Sequence, residues 1–359
     1  MAGQRILFAV HDWGLGHATR DLVLIRGLLE AGHQVTVLST GRALHLLREE
    51  LGERCRYTDL RDIPKPLSRH PAAFYVKMSL SLPLVFWTFW QERRFTRTLV
   101  EREDIQHIVS DSRFGVALRN VPSYYVFHSL RQIIPGRPYL LEKLVECAQK
   151  TLLGRARCIL VPDEAENGLA GDLSHNPSCS WGGRLRYIGP LSSVEAEPTE
   201  PDVDYFISIS GAEPQRTLFE ERVLAQVEGL PGRVVVALGK PDGVSRTLNR
   251  GQVTIYNYLD RGRQQEMMNR ARLVVCRSGY TTLMELAQLG KRALFVPTPG
   301  QSEQEHLAAH HFRAGNAYTV SQHQLSLVRD VTEAERYPGL PPVPPTRESV
   351  RRFLEAITS

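Results

Sequence analysis

Cysteine is scarce in this sequence and forms no pattern that would hold a structure together. The five cysteines among 359 residues include no Cys-x-x-Cys pair and lie far apart along the chain. An odd number of scattered thiols predicts reduced side chains in a cytoplasmic protein, and it argues against a disulfide framework or a zinc site. The residues concerned are Cys55, Cys147, Cys158, Cys179 and Cys276.

Long apolar runs are also missing. The longest run, Met78–Trp90, is interrupted by Pro83 and is shorter than the roughly 20 residues that a transmembrane helix needs. The first residues lead directly into a strand-like run, Ile6–Val10, without the apolar stretch of a signal peptide. We therefore expect no transmembrane helix, and a cytoplasmic protein that is at most peripheral at the inner face of the cytoplasmic membrane.

The excess of one charge is small. The chain has 44 Lys and Arg residues against 39 Asp and Glu residues, for a net charge of +5. This weak basic balance gives no reason to expect nucleic acid as a partner. Hydrophobic residues make up 42% of the chain, as in ordinary globular proteins, which excludes a disordered or fibrous class. The length favours two domains.

One structural pattern occurs twice. In the first half, the buried strand Ile6–Val10 is followed by a glycine-containing turn, an amphipathic helix and a second strand, Val35–Leu38. This order is typical of a βαβ unit in a parallel sheet. The pattern restarts at the strand Tyr205–Ile209, after a stretch rich in proline and acidic residues over 189–204. We predict an α/β protein with two Rossmann-like, doubly wound domains, over residues 1–190 and 191–345. A terminal helix within residues 346–359 is predicted to cross back to the first domain.

Three glycine turns stand where such folds bind phosphate groups. Glycine lets an anion approach the backbone, and the free N–H groups of the following helix point at it. Each turn alone is more often structural than functional, but three at equivalent places in two tandem sheets favour a nucleotide ligand. The turns contain Gly14 and Gly16, Ser210 and Gly211, and Ser278 and Gly279.

Polar residues that suit a nucleotide sugar follow the third turn. Glu285 lies on the helix after it, where a carboxylate can accept hydrogen bonds from a ribose diol. A strand and a Pro/Gly loop come next, and then Glu303 and Gln304, whose carboxylate and amide groups suit sugar hydroxyls.

The segment Val275–Ala317 resembles the donor-binding region of the family 28 glycosyltransferases, and also the donor signature of plant and animal UDP-glycosyltransferases. The resemblance rests on the order strand, Arg-Ser-Gly, Thr-x-x-Glu, four residues, Gly, followed by a strand, a proline and an acid–Gln pair. It is strongest over residues 205–320, and the turn Gly14–His17 is loosely similar to the first turn of the same family. The resemblance implies a GT-B fold, in which two domains face a central cleft and the second holds a UDP-sugar.

The resemblance also implies roles for individual residues. His17 would lie near the reaction centre as the base or a diphosphate ligand, with Asp12 as the second candidate. Transfer to an acceptor hydroxyl would proceed with inversion, without a cofactor or a metal, because helix N-termini stabilise the leaving diphosphate. The implied donor-binding residues are Gly14, Gly16, Ser210, Gly211, Tyr258, Leu259, Arg277, Ser278, Gly279, Thr281, Thr282, Glu285, Glu303 and Gln304.

Departures from the family pattern leave the substrates open. Glu303 replaces an amide, so the transferred sugar can be a hexose or an N-acetylhexosamine, and dTDP or GDP can replace UDP. Asp111–Gly115, His128 and Pro162–His175 are interpreted as acceptor elements of a distinct subfamily. The aromatic stretch Phe74–Trp90 fits either a helix packed in the core or a membrane contact that admits a lipid or lipid-linked acceptor.

Two alternative functions fit the same residues. A UDP-sugar 2-epimerase or hydrolase would need the donor site but no acceptor, and a non-catalytic subunit would bind the donor without turnover. Two metal-like patterns are interpreted as solvated polar groups. These are His306 and His310 on one helix face, and Asp202 with Asp204 before a strand.

Overall fold

The computed structural model of this protein describes residues 3–63, 80–134, 136–240 and 246–358. The chain divides into two compact units. Unit 1 comprises residues 1–193 and 344–359, and unit 2 comprises residues 194–343.

Unit 1 is built on a seven-stranded parallel sheet with the strand order β3-β2-β1-β4-β5-β6-β7. Five consecutive residues of β1 are buried, as expected for a parallel strand covered on both faces. The strands are β1 (Arg5–Val10), β2 (Gln34–Ser39), β3 (Arg56–Asp59), β4 (His107–Asp111), β5 (Ser123–Val126), β6 (Cys158–Val161) and β7 (Leu185–Tyr187).

The helices of unit 1 include the last one of the chain. Phe353 and Ile357 of that helix are fully buried, and the Tyr124 hydroxyl donates a hydrogen bond of 3.1 Å to the Ile357 carbonyl. Residues 346–358 therefore pack with the first half of the chain. The helices are α1 (Leu15–Glu30), α2 (Gly41–Leu51), α3 (Leu82–Glu103), α4 (Tyr139–Leu152) and, after unit 2, α10 (Thr346–Thr358).

Unit 2 repeats the architecture with the strand order β10-β11-β9-β8-β12-β13-β14. Every pairing is parallel except that of β10 with β11. Its strands are β8 (Val203–Ser208), β9 (Val234–Ala237), β10 (Thr247–Arg250), β11 (Val253–Tyr256), β12 (Ala271–Cys276), β13 (Arg292–Phe295) and β14 (Tyr318–Thr319). Its helices are α5 (Gln215–Leu224), α6 (Arg261–Arg270), α7 (Tyr280–Leu289), α8 (Ser302–Arg313) and α9 (Leu327–Ala334).

The prediction that all five thiols are reduced is wrong for one pair. Cys147 of α4 is bonded to Cys179, with the two Cα atoms 6.2 Å apart, whereas the other three cysteines are buried and free. A separation of 32 residues along the chain hides this proximity from the sequence. The scattered cysteines therefore no longer support a cytoplasmic location, which stays a prediction.

The helix α3 has a buried and an exposed face. Its buried residues recur every three or four positions, whereas Phe86, Trp87 and Trp90 are each about half exposed. The interpretation as a core helix applies to the buried face, and membrane contact through the exposed face stays a prediction. Residues 74–79 of the aromatic stretch lie outside the described residues. Within the described ranges, no helix is both long and apolar enough to cross a membrane.

Candidate active-site residues

Three loops of unit 2 meet where neighbouring parallel strands end. The strands β8, β12 and β13 lie side by side, so the loops that follow them share one edge of the sheet. These loops hold Ser210 and Gly211, then Arg277 to Gly279, and then residues 297–301. The edge brings together residues that are more than 60 positions apart in the sequence, as the 3.4 Å hydrogen bond from Arg277 Nε to the Ser210 carbonyl shows.

The N-terminus of α7 provides backbone donors at this edge. Gly279 is its N-cap residue and supplies no side-chain cap, while Thr281 and Thr282 lie half-buried in the first turn. The first N–H groups of such a helix have no partner within the helix and attract anions. A Cβ atom placed on Gly279 would lie 4.0 Å from Nε2 of Gln304, so the glycine leaves space between the helix end and this amide.

Ser278 and Gln304 are linked to each other. The buried Ser278 hydroxyl donates a hydrogen bond of 2.7 Å to the Gln304 carbonyl. The side-chain oxygen of Gln304 accepts a hydrogen bond of 2.9 Å from the Thr298 N–H. These bonds give the Ser278 hydroxyl a structural role and fix the orientation of the Gln304 amide, so that its NH₂ group is the side free to donate.

Arg277 has a role different from the predicted diphosphate contact. Its guanidinium is buried, and its five N–H groups have five protein acceptors, among them the carbonyls of Val296 and Pro297. It also lies over the Phe219 ring at 4.3 Å from the centroid. Burial lowers its pKa to about 10, which leaves it charged at neutral pH. Arg277 thus contributes a positive charge beneath the site, with its hydrogen bonds used to join the loops.

The other predicted donor residues lie on α7, on α8, after β8 and after β11. Glu285 is buried on α7, and Glu303 is half-buried in the first turn of α8. Tyr258 is exposed and Leu259 is buried after β11, which lies two strands from β8. Gly211 has a φ of +116°, a value that favours glycine.

In unit 1, His17 lies in the first turn of α1 and is held by a buried carboxylate. Its Nδ1 atom is 2.9 Å from Oδ2 of Asp111, the last residue of the neighbouring strand β4. Arg20, one turn along α1, forms two short hydrogen bonds to the same carboxylate, of 2.9 Å from Nε to Oδ2 and 2.6 Å from Nη2 to Oδ1. Within the described residues, Nε2 of His17 makes no hydrogen bond to the protein, whereas Nδ1 does.

The charges in this cluster are set by burial and by Arg20. Burial lowers the pKa of His17, and Arg20 and His11 act in the same direction, although Asp111 opposes them. Burial would raise the pKa of Asp111, but Arg20 and His17 hold it well below its usual range. Burial, together with the charge of Asp111, raises the pKa of the neighbouring Asp21 well above its usual value. At neutral pH the cluster therefore contains a neutral His17 beside an ionised Asp111.

Asp12 contacts the backbone at the start of α2, and its catalytic role stays a prediction. Its Oδ1 atom accepts a hydrogen bond of 3.0 Å from the Ala43 N–H in the first turn of α2. Gly14 is the N-cap residue of α1 in an extended conformation, with open space around its Cα, and Gly16 lies in the first turn of that helix.

A second histidine–carboxylate pair was not predicted. Nδ1 of His11 lies 2.7 Å from Oδ2 of Asp62, and the His11 and His17 rings are 5.4 Å apart in an edge-to-face arrangement. Burial would raise the pKa of Asp62, but the hydrogen bond and charge of His11, the charge of Arg113 and the hydrogen bond from the Asp12 N–H together hold that pKa at about 2. The predicted acceptor residues Asp111 and His128 both contact Arg20, at 2.6 Å and 3.3 Å, so they belong to this cluster. A sequence signal existed for Asp111, because residues at the carboxyl ends of parallel strands meet at one edge of the sheet.

A metal site does not emerge from the two metal-like patterns. The His306 and His310 rings stack at 6.4 Å, and Asp202 pairs with Arg233 and Arg270. In the part of the chain that the structure describes, no three His, Cys, Asp or Glu side chains are grouped to hold a metal ion.

Comparison with known proteins bears on both units. Residues 218–338 match the family model of the glycosyltransferase family 28 C-terminal domain, and residues 4–61 match that of glycosyl transferase family 1. An uncharacterized glycosyltransferase of Methanosarcina acetivorans is 24% identical over 93% of this chain and 91% of its own length. The chain is a glycosyltransferase with the GT-B fold.

This glycosyltransferase is also similar in sequence to one named transferase and in fold to several solved structures. A 56-residue segment is 45% identical to the Histophilus somni UDP-N-acetylglucosamine–N-acetylmuramyl-(pentapeptide) pyrophosphoryl-undecaprenol N-acetylglucosamine transferase, covering 15% of this chain and 16% of that one. The glycotransferase of kitacinnamycin superposes with a TM-score of 0.65 at 15% identity, over 99% of this chain and 96% of that chain. The spinosyn rhamnosyltransferase SpnG, solved with thymidine diphosphate, has a TM-score of 0.56 at 15% identity, over 99% and 96%.

These findings confirm the predicted resemblance to family 28, the fold and the enzyme class. The transferase prediction therefore stands over the epimerase, hydrolase and non-catalytic alternatives. The roles of the individual site residues stay predictions, apart from the structural contacts described above.

Proposed function

We propose that this glycosyltransferase moves a hexose or N-acetylhexosamine from a UDP-sugar to an acceptor hydroxyl, with inversion and without a metal. In this proposal unit 2 holds the donor. The N-terminus of α7, whose N-cap residue Gly279 has no side chain to occupy the first N–H groups, receives the diphosphate, and Glu285 accepts hydrogen bonds from the ribose. Glu303 and Gln304 contact the sugar. UDP is preferred because the family 28 match lies in unit 2 and a relative named for UDP-N-acetylglucosamine shares a segment at 45% identity.

The observation that carries the proposal is the pair of His17 and Asp111. In the tautomer that donates Nδ1–H to Asp111, Nε2 of His17 carries the lone pair and can accept a proton from the acceptor hydroxyl. The acceptor oxygen then bonds to the anomeric carbon as the bond from that carbon to the diphosphate breaks. The ionised carboxylate of Asp111 stabilises the imidazolium that forms.

We also propose a lipid or lipid-linked acceptor, with the enzyme peripheral to a membrane at its cytoplasmic face. The support is the exposed apolar face of α3, where Trp87 and Trp90 stack at 5.1 Å and Arg94 lies over the Trp90 ring. Aromatic rings beside arginine suit the boundary between lipid headgroups and acyl chains.

The donor assignment is tested by ligand-induced thermal stabilisation with UDP, dTDP, GDP and their sugar conjugates. We expect UDP and one UDP-sugar to raise the melting temperature of the wild type, because a ligand that binds only the folded state stabilises it. Glu285→Ala should lose this shift, whereas Glu221→Ala, an exposed carboxylate on α5, should keep it. If only dTDP or only GDP stabilises the protein, the donor is a sugar conjugate of that nucleotide and not a UDP-sugar. No shift with any nucleotide would refute the donor site.

A further inference from the structure

We propose that the Thr298 hydroxyl donates a hydrogen bond to the diphosphate of the donor. This inference rests on the proposed function, and it adds a residue that neither the glycine turns nor the acid–Gln pair indicates. Thr298 lies in the loop after β13, directly above the end of the neighbouring strand β12. Its role follows from an unsatisfied polar group and from the chemistry of the groups around it.

The hydroxyl of Thr298 is buried without a partner. Thr298 is only 9% exposed, and among the described residues its Oγ1 atom forms no hydrogen bond. The backbone of the residue is held in place, because its N–H donates to Oε1 of Gln304 at 2.9 Å. Burying a hydroxyl without a partner costs free energy, and native proteins rarely retain one without a reason. A bound ligand that supplies the missing acceptor is such a reason.

The loop after β8 passes next to this hydroxyl at a glycine. A Cβ atom placed on Gly211 would lie 3.7 Å from Oγ1 of Thr298 and 4.0 Å from Nε of Arg277, so no side chain covers the hydroxyl from this loop. Gly211 has a positive φ, which favours glycine at this position. On the other side of Thr298, the Gln304 amide faces Gly279 at the start of α7.

Three groups of the loops near Thr298 are donors or carry a positive charge. The N-terminus of α7 offers N–H groups and the positive end of the helix dipole. The amide of Gln304 has its oxygen occupied and its NH₂ group free to donate. The Arg277 guanidinium has its N–H groups occupied, but its charge remains. Hydrogen-bond donors and positive charges favour a ligand with many acceptor atoms. A diphosphate has more acceptor oxygens and more negative charge than a sugar hydroxyl.

The test compares the binding of UDP and of uridine by calorimetry in the wild type, Thr298→Val and Thr298→Ser. We expect Thr298→Val to weaken UDP binding about tenfold or more, because a hydrogen bond to a charged group is lost. Uridine should bind as tightly to Thr298→Val as to the wild type, and Thr298→Ser should retain UDP binding. The same measurements with dTDP and thymidine keep the test valid if the nucleotide is thymidine-based.

Stability without ligand separates this role from a structural one. Thr298→Val should melt at or above the wild-type temperature, because it removes a buried hydroxyl that has no partner. Thr319→Val is the matched control in unit 2, since that hydroxyl donates to the Phe295 carbonyl at 3.1 Å. It should lower the melting temperature and leave UDP binding unchanged.

The outcomes distinguish this inference from the donor proposal. If the wild type binds UDP or dTDP and Thr298→Val binds it equally well, the Thr298 inference is overturned and the donor site stands. An equal loss of uridine binding in Thr298→Val would also overturn it, because the hydroxyl would then not act through the diphosphate. If the wild type binds no nucleoside diphosphate, both proposals fail together.

Discussion

His17 owes its charge state to groups from three different parts of unit 1. It lies on α1, its carboxylate partner Asp111 ends β4, and His11 follows the end of β1. Burial, Arg20 and His11 together favour the neutral imidazole more strongly than Asp111 favours the charged one. A base must be neutral to accept a proton, so this balance keeps His17 ready to act near neutral pH.

At the residue scale we predict that His17→Ala lowers kcat by about 10²–10⁴-fold, as expected for loss of a general base. The dissociation constant for UDP should not change, because the nucleotide is proposed to bind unit 2. His45→Ala, an exposed histidine on α2 of the same unit, is the control and should keep wild-type kcat.

The pH profile of kcat/KM gives an independent check on His17. Because the pKa of His17 is lowered from 6.5, protonation should remove the base only below pH 6.5. Activity should therefore fall on the acid side with a midpoint under that value. A midpoint above pH 6.5, or wild-type turnover in His17→Ala, would exclude this residue as the base.

His17 could be predicted from the sequence because a histidine after two turn glycines is a local pattern. Its pairing with Asp111 could not, since 94 residues separate them and only the order of strands brings them together. Arg277 shows what a local pattern cannot reveal. A cation beside a glycine turn suggests a phosphate ligand, but the carbonyls that converge on it come from the loops after β8 and β13 and from the start of α5.

The helix α3 has a buried polar pair on one face and exposed apolar side chains on the other. Its buried face contains Glu92, whose carboxylate pairs with the buried Arg113 at 2.8 Å. Its opposite face exposes apolar side chains through the first three turns. A monomeric protein seldom leaves such a cluster in water without a binding partner. The exposed members are Leu82, Leu84, Phe86, Trp87 and Trp90.

At the element scale we predict that replacing Trp87 and Trp90 by Ser abolishes co-sedimentation with liposomes that contain anionic lipids. Both rings are exposed, so the melting temperature should change little while the buried apolar area at the lipid surface is lost. Val328→Ser, an exposed apolar position on α9 of unit 2, should sediment like the wild type. Unchanged sedimentation of the double variant would refute membrane contact through α3.

Most strands were predictable from short apolar runs because they are buried on both faces. The runs at residues 6–10 and 35–38 fall within β1 and β2, and the run at 205–209 overlaps β8 in all but its last residue, which confirms those predictions. The edge strands were missed for the same physical reason. All four residues of β10 are exposed and only Leu248 is apolar, so hydrophobic patterning contains no signal for it.

At the scale of the whole molecule, unit 1 depends on both ends of the described chain. Phe353 is fully buried within it, Arg352 pairs with Glu164 at 3.0 Å, and Val350 contacts Gly27 of α1. The glycine permits close packing of α10 on α1, since a side chain at position 27 would meet Val350.

We predict that Phe353→Ala destabilises unit 1 by about 3–5 kcal/mol, the usual cost of removing a buried aromatic ring. Hydrogen exchange followed by mass spectrometry should show faster exchange in residues 5–193, with the strands of unit 2 unchanged. Glu355→Ala on the exposed side of α10 should change stability by less than about 0.5 kcal/mol. Equal acceleration in both units would show that α10 does not belong to unit 1 alone.

The return of α10 to unit 1 also affects the order in which the protein is made. Unit 2 is one uninterrupted segment, residues 194–343, whereas unit 1 needs residues 344–358 before its sheet is fully covered. On the ribosome, α10 is synthesised only after all of unit 2. Unit 1 therefore begins synthesis first and completes its fold last, and until then the surface of α1 beneath Val350 and Phe353 is open to chaperones.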